Sequence, residues 1–135
     1  MRKEIVDSLV EDLEGSGAFK KVYKNIVPVW TQVKSMPAAA VIYEEEKKDP
    51  DNISNRNCYY VGIVNIVLYN KQSKNSYEDI LSDLIDLVYQ IINDNEFLCY
   101  KVIDSSVASM KRDGGIAHPY SIAQIKVEVR YKLSV

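Results

Sequence analysis

The 135-residue sequence predicts an α+β fold: an N-terminal helix, then two antiparallel β-hairpins flanking one long helix (α-β-β-α-β-β). The expected sheet is four-stranded and mainly antiparallel, with the helices packed on one face. Three observations predict it. Apolar residues recur at helical spacing in "KEIVDSLVEDLE" and "YEDILSDLIDLVYQIIND". "YSIAQIKVEVRYKLSV" alternates apolar and polar residues without a break. "CYYVGIVNIVLYN" is apolar at both alternating sets of positions, which marks a strand covered on both faces.

Each element follows in chain order. Ile5, Val6, Leu9, Val10 and Leu13 form one stripe of a helix over 2–14, and Gly15 and Gly17 supply its stop. Phe19, Val22 and Tyr23 mark a short strand or a turn before Pro28 breaks regularity. Pro37 opens the first strand, 37–46, where a missing N–H matters least. The second strand covers 58–70, with helices expected over one face and a neighbouring subunit over the other. Ser76, with Asp79 three positions on, approximates a capping box for the long helix, whose stripe runs from Ile80 to Ile92. The third strand spans 97–110, where Asp104, Ser105 and Ser106 blur the alternation and allow a bulge. "KRDGGIAHP" is a hairpin loop with Gly114 and Gly115 available for positive φ. The fourth strand, 120–135, turns Ile125, Val127, Val129, Tyr131 and Leu133 to the core, and Gln124, Lys126, Glu128, Arg130 and Lys132 to water.

The length fits a single domain over 1–135. No apolar run approaches the roughly 20 residues needed to cross a bilayer, and the N-terminus lacks the apolar core of a signal peptide, so a cytosolic chain is expected. A net charge of −2 argues against binding nucleic acid through the overall field. Cys58 and Cys99 sit in strands without metal or redox spacing and read as buried thiols.

Chemistry is scarce. The one histidine, His118, stands in the glycine-rich loop, and neither cysteine has a base beside it. Glu44, Glu45 and Glu46 alternate faces of a strand, while Asp83 and Asp86 lie on a helix's polar side, so solvated charge explains them better than metal binding. "DGG" at Asp113 has no G-K-[ST] after it and is a turn. No catalytic, metal or cofactor residue is assigned, and no cofactor is expected. Lys111, Arg112, Lys126, Arg130 and Lys132 cluster weakly, as an ordinary mixed sheet surface or as a charged subunit interface. Ten tyrosines against two phenylalanines favour contact surfaces. The polar stretch from Glu44 to Asn57, "EEEKKDPDNISNRN", is far longer than the usual two to five residues of a hairpin loop. It reads equally as a plain surface loop or as an arm that orders when a partner arrives.

The order of pieces, "KEIVDSLVEDLE", "FKKVY", "MPAAAVIYEEE", a polar loop, "YYVGIVNIVLYNK", "YEDILSDLIDLVYQIIND", "YKVIDSSVASMKRDGG" and "PYSIAQIKVEVRYKL", resembles the tail terminator proteins of tailed bacteriophages. That group is typified by lambda's minor tail protein U and has relatives in prophages and phage-like particles. The resemblance implies a non-enzymatic assembly protein that forms a hexameric ring on the tail tube, ends its polymerisation and presents the head-joining surface. The implied partners are further copies of the chain, the tail tube protein and head-tail connector proteins. Genomic DNA would only pass through the channel, and no membrane is involved. The implied place is the head-proximal end of the virion tail, after assembly in the host cytoplasm. The candidate contact residues are Glu44, Glu45, Glu46, Lys47, Lys48, Asp51, Asn55 and Arg56 in the polar stretch, Lys111, Arg112 and Asp113 in the hairpin loop, and Lys126 and Arg130 on the last strand. A head-tail connector or stopper component is the alternative, and a small α+β enzyme or ligand-binding domain is a third, which needs a polar pocket.

Overall fold

The computed structural model describes residues 1–53, 57–71, 79–95, 98, 102–113 and 119–134, with the side chains of 49–53, 57–58 and 133–134 outside the description. Two helices and five strands follow in the order α1 (Arg2–Gly15), β1 (Lys21–Lys24), β2 (Ala38–Ile53), β3 (Asn57–Lys71), α2 (Ile80–Asp94), β4 (Asp104–Arg112) and β5 (Tyr120–Ser134). They make one sheet in the order β1-β2-β3-β5-β4, antiparallel except where β1 runs parallel to β2. The class and both expected hairpins are present, and β1 is a fifth strand.

Period-two alternation divides every strand between two faces of the sheet. Val64, Ile66 and Leu68 of β3 point to the side that holds both helices, with Ala39 and Val41 of β2 and Ala123 to Tyr131 at odd positions of β5. The stripe expected in the first helix is buried there, and so are Leu81, Leu84, Ile85, Val88 and Ile92 of α2. Burying each such side chain contributes roughly 1.5–3 kcal/mol, which is why the helices stay on this face.

The opposite face has a smaller core at one end. Val33, Ala38, Ala40, Val67 and Tyr69 are buried there beside Tyr23, Trp30, Met36 and Ile122. A parallel neighbour needs a crossover of a dozen or so residues, and 25–37 is that crossover, laid across this face between β1 and β2. Asn25, at φ 61°, starts it, in a left-handed conformation that asparagine tolerates better than most residues. The Tyr69 hydroxyl donates to the Pro28 carbonyl at 2.6 Å, and burial pushes its pKa up to about 12. Trp30 packs against Tyr120 with ring centroids 4.7 Å apart and the ring planes tilted by 36°. This end of β3 is therefore covered by its own chain, where the sequence points to a neighbouring subunit.

Three boundaries differ from those expected. The polar stretch is mostly strand: β2 continues to Ile53, with bulges between Tyr43 and Glu45 and between Lys48 and Ile53, and β3 starts at Asn57. An edge strand explains the composition, because β1 pairs only with Ala38 to Val41, and an unpaired edge favours charge and tolerates proline. β4 starts at Asp104 and reaches Arg112, so Lys111 and Arg112 are strand residues, and its bulge falls between Val107 and Ser109. Helix α2 begins at Ile80 with Asp79 as its N-cap, accepting from the Ser82 N–H at 3.1 Å. Ser76, Cys99, Gly114, Gly115 and His118, and the side chain of Cys58, lie outside the described residues.

Because Asp79 caps α2, Asp79→Ala is expected to lower unfolding stability by about 1 kcal/mol, while Asp79→Asn keeps most of it. Urea titrations of both variants against the parent measure this.

Candidate assembly surface

Beyond the crossover, the face away from the helices is open among the described residues. Its centre is the odd-numbered row of β3, Tyr59, Val61, Ile63 and Asn65, partly or fully buried by flanking side chains. Register places Glu45 and Glu128 on either side of Ile63, and Lys47 and Arg130 on either side of Val61. Glu44, the extra residue of the first bulge, pairs with Lys126 at 3.4 Å, and Glu45 with Lys47 at 3.3 Å. Arg130 grips Asp104 across the β4–β5 ladder, its Nε donating to Oδ1 at 2.9 Å, and those hydrogen bonds hold the Asp104 carboxyl below the usual range. Lys132 lies 5.8 Å from the centre of the Tyr59 ring. The pattern is an apolar strip rimmed by charges, the composition of a protein contact surface.

The same bulge turns Glu46 to the helix side. There the Arg2 guanidinium donates to it from Nη2 at 2.8 Å and from Nε at 3.3 Å. The Tyr43 hydroxyl donates at 3.2 Å and the Tyr131 hydroxyl also donates to Oε1, with the two hydroxyls 3.0 Å apart. Arg2 is the main cause holding the Glu46 carboxyl below its ordinary range, and burial, then the Glu46 charge, raise the Tyr43 pKa. A cavity of about 380 Å³ opens beside them, lined by Met1, Arg2, Lys3, Glu46 and Tyr131. The Tyr43 ring crosses over Gly62, where a Cβ would come 2.7 Å from its Cζ, so only glycine fits without movement.

Of the sequence-predicted contact residues, Glu44, Glu45, Lys47, Lys111, Lys126 and Arg130 share the open face. Glu46 and Lys48 lie on the helix side. Arg112 points to the helix side at the other end of the sheet, where Nη1 donates to Asp79 Oδ2 at 2.9 Å, tying β4 to the α2 cap. Hydrogen bonds from Arg112, then from Ser82, hold the Asp79 carboxyl far below the usual range. Asp113 follows β4, its N–H donating to the Ile122 carbonyl at 3.0 Å. Asp51 lies in β2 with its side chain outside the description, and Asn55 and Arg56 lie outside the described residues. Sequence reasoning missed Arg2, Tyr43, Tyr131 and Asp104 as partners. Only the excess of tyrosine over phenylalanine hinted at hydroxyls with such work to do.

Glu46 and Asp104 both have depressed folded pKa values. Their stabilisation is therefore complete above the ordinary carboxylate pKa of about 4 and is lost as pH falls below it, through the folded values. The melting temperature is expected to hold above about pH 5 and drop below about pH 4, less steeply in Glu46→Gln and Asp104→Asn, as read by calorimetry across that range. Gly62→Ala is expected to destabilise by about 1–3 kcal/mol through overpacking, and by less in a Tyr43→Ala background, as a double-mutant cycle of thermal melts would show.

No curated protein matches the chain. A family model described as Bacteriophage Tail Tube Terminator Protein matches residues 1–134, nearly the whole chain. The chain belongs to the bacteriophage tail tube terminator family.

Proposed function

We propose that copies of this chain close into a hexameric ring on the head-proximal end of the tail tube, end its polymerisation and present the surface to which the head joins. The role of tail tube terminator, with its place in the virion tail and its contact with tube components, comes with the family. The ring, its six-fold closure and the joining of the head go beyond what the family match gives. In that reading the chain is one non-enzymatic domain, assembled in the host cytoplasm, with connector proteins as further partners and DNA passing through the centre.

The family match carries this reading, and one feature of the fold supports it. β2, β3 and β5 run on as a paired ladder to Ile53, Asn57 and Ser134, past Tyr43 and Tyr60, where packing against the helix-side core ends. Strands of 16 and 15 residues are long against the usual five or six, and the excess length builds an arm that presents charge and tyrosine.

The test adds the purified protein to polymerising subunits of the cognate tail tube and follows tube length by negative-stain electron microscopy. Growth is expected to stop, with a six-fold ring of density at one tube end. Tubes that lengthen unchanged and carry no added density would overturn the reading.

A further inference from the structure

The charges of this chain are segregated in space, although they nearly cancel in sum. Helices α1 and α2 carry eight acidic residues and two basic ones, and α2, with exposed Asp83, Asp86 and Asp94, has no basic residue at all. Among the described side chains, the open-face positions of the five strands carry seven basic residues, among them Lys47, Lys126, Arg130 and Lys132, against four acidic ones. The sheet lies between these two layers, so one side of the subunit is acidic and the other basic.

The basic side also has the marks of a surface that is covered in use. Tyr59, Val61 and Ile63 form an apolar strip at its centre. Asn65, 7% exposed, continues that strip with its Oδ1 buried and without a hydrogen-bond partner, while its Nδ2 reaches Gln124 Oε1 at 3.5 Å. At the border of the face, Ile26 and Val29 of the crossover are each 57% exposed.

We propose that the open sheet face of one subunit packs on the acidic outer surface of the helix layer of the next copy. This rests on the ring reading above and names the surfaces that close the ring. Charge complementarity selects the occupant. Two sheet faces meeting about a two-fold axis would set like charges together, whereas basic sheet against acidic helices joins unlike surfaces, the heterologous contact that a closed ring requires. The four acidic residues interleaved on the sheet face break up the continuous basic stripe that a nucleic-acid backbone would need.

Carbodiimide cross-linking of mixed isotope-labelled and unlabelled subunits, free and on tail tubes, tests this. A carbodiimide joins a lysine amine to a carboxylate only in direct contact, and Lys126 and Asp86 lie on opposite sides of the sheet within one subunit. Links from Lys126 or Lys132 to Asp83 or Asp86 between differently labelled chains are the expected result. The Lys126→Glu/Lys132→Glu variant should lose self-association by at least about tenfold while still unfolding in one cooperative transition. Adding Asp83→Lys/Asp86→Lys to it should restore assembly, because both faces are then reversed together. An oligomer indifferent to these variants, or one whose sheet-face lysines link only to the tube subunit, overturns the proposal and leaves the ring standing. A chain that stays monomeric in solution and on tubes overturns both.

Discussion

The ladder between β3 and β5 is the constraint on which the rest depends. It pairs fifteen residues without a register shift, from Asn57 opposite Ser134 to Lys71 opposite Tyr120. Side chains alternate with period two, so this single register decides for both strands which residues meet the helices and which form the open face; a slip of one residue in either would exchange that strand's two sets. The irregularities are kept to its neighbours. The bulge at Glu44 in β2 reverses the facing of Glu45 to Lys48, which sends Glu46 toward Arg2, Tyr43 and Tyr131 while leaving Glu45 and Lys47 on the open side. An uninterrupted β2 would have placed Glu46 in water on the other face and left the Tyr43 and Tyr131 hydroxyls without their carboxylate.

What could be read from the sequence was whatever periodicity encodes. The alternation of β5 fixed its wet and dry faces at Gln124 to Lys132, and the stripe of α2 fixed its buried side, because both patterns are local. The double apolarity of β3 was legible too, although one cover turned out to be residues 25–37 of the same chain. The continuation of β2 was hidden because charge and proline on an edge strand look like a loop when the missing neighbour is unknown. β1 was legible only as a short strand or a turn around Val22 and Tyr23. Four residues carry too little pattern, and parallel pairing with Ala38 to Val41 is decided by a crossover that no local signal announces.

The contact residues show the same division. Glu44 to Glu46, Lys126 and Arg130 were placed in strands by the sequence, whereas Lys47, Lys48, Lys111 and Arg112 read as loop, and sorting them by face required the bulges, which the sequence does not mark. Arg112 was read as a loop residue because its anchor, Asp79, stands 33 positions away on another element. The Arg2–Glu46 pair spans 44 positions, and it holds the N-terminal turn of α1 to the start of the arm. Long-range pairs of this kind are products of the fold, so composition cannot predict them.

A terminator also needs two unlike ends. If the surface that binds the tube were repeated on the far side of the ring, the ring would template further growth. Should copies join through their two broad faces, the surfaces left for axial contact are the two ends of the strands, and these differ in construction. One is the paired arm of β2 and β3 next to the Arg2–Glu46 cluster, rich in charge and tyrosine. The other is the N-terminal end of α2 with Asp79 locked to Arg112, beside the crossover and the Trp30–Tyr120 contact. Since heterologous closure uses the same two faces of every subunit, all arms would emerge on one side of the ring. In such a ring that polarity would follow from the sheet running strand-end to strand-end through the subunit, and it would give growth a physical reason to stop at one layer.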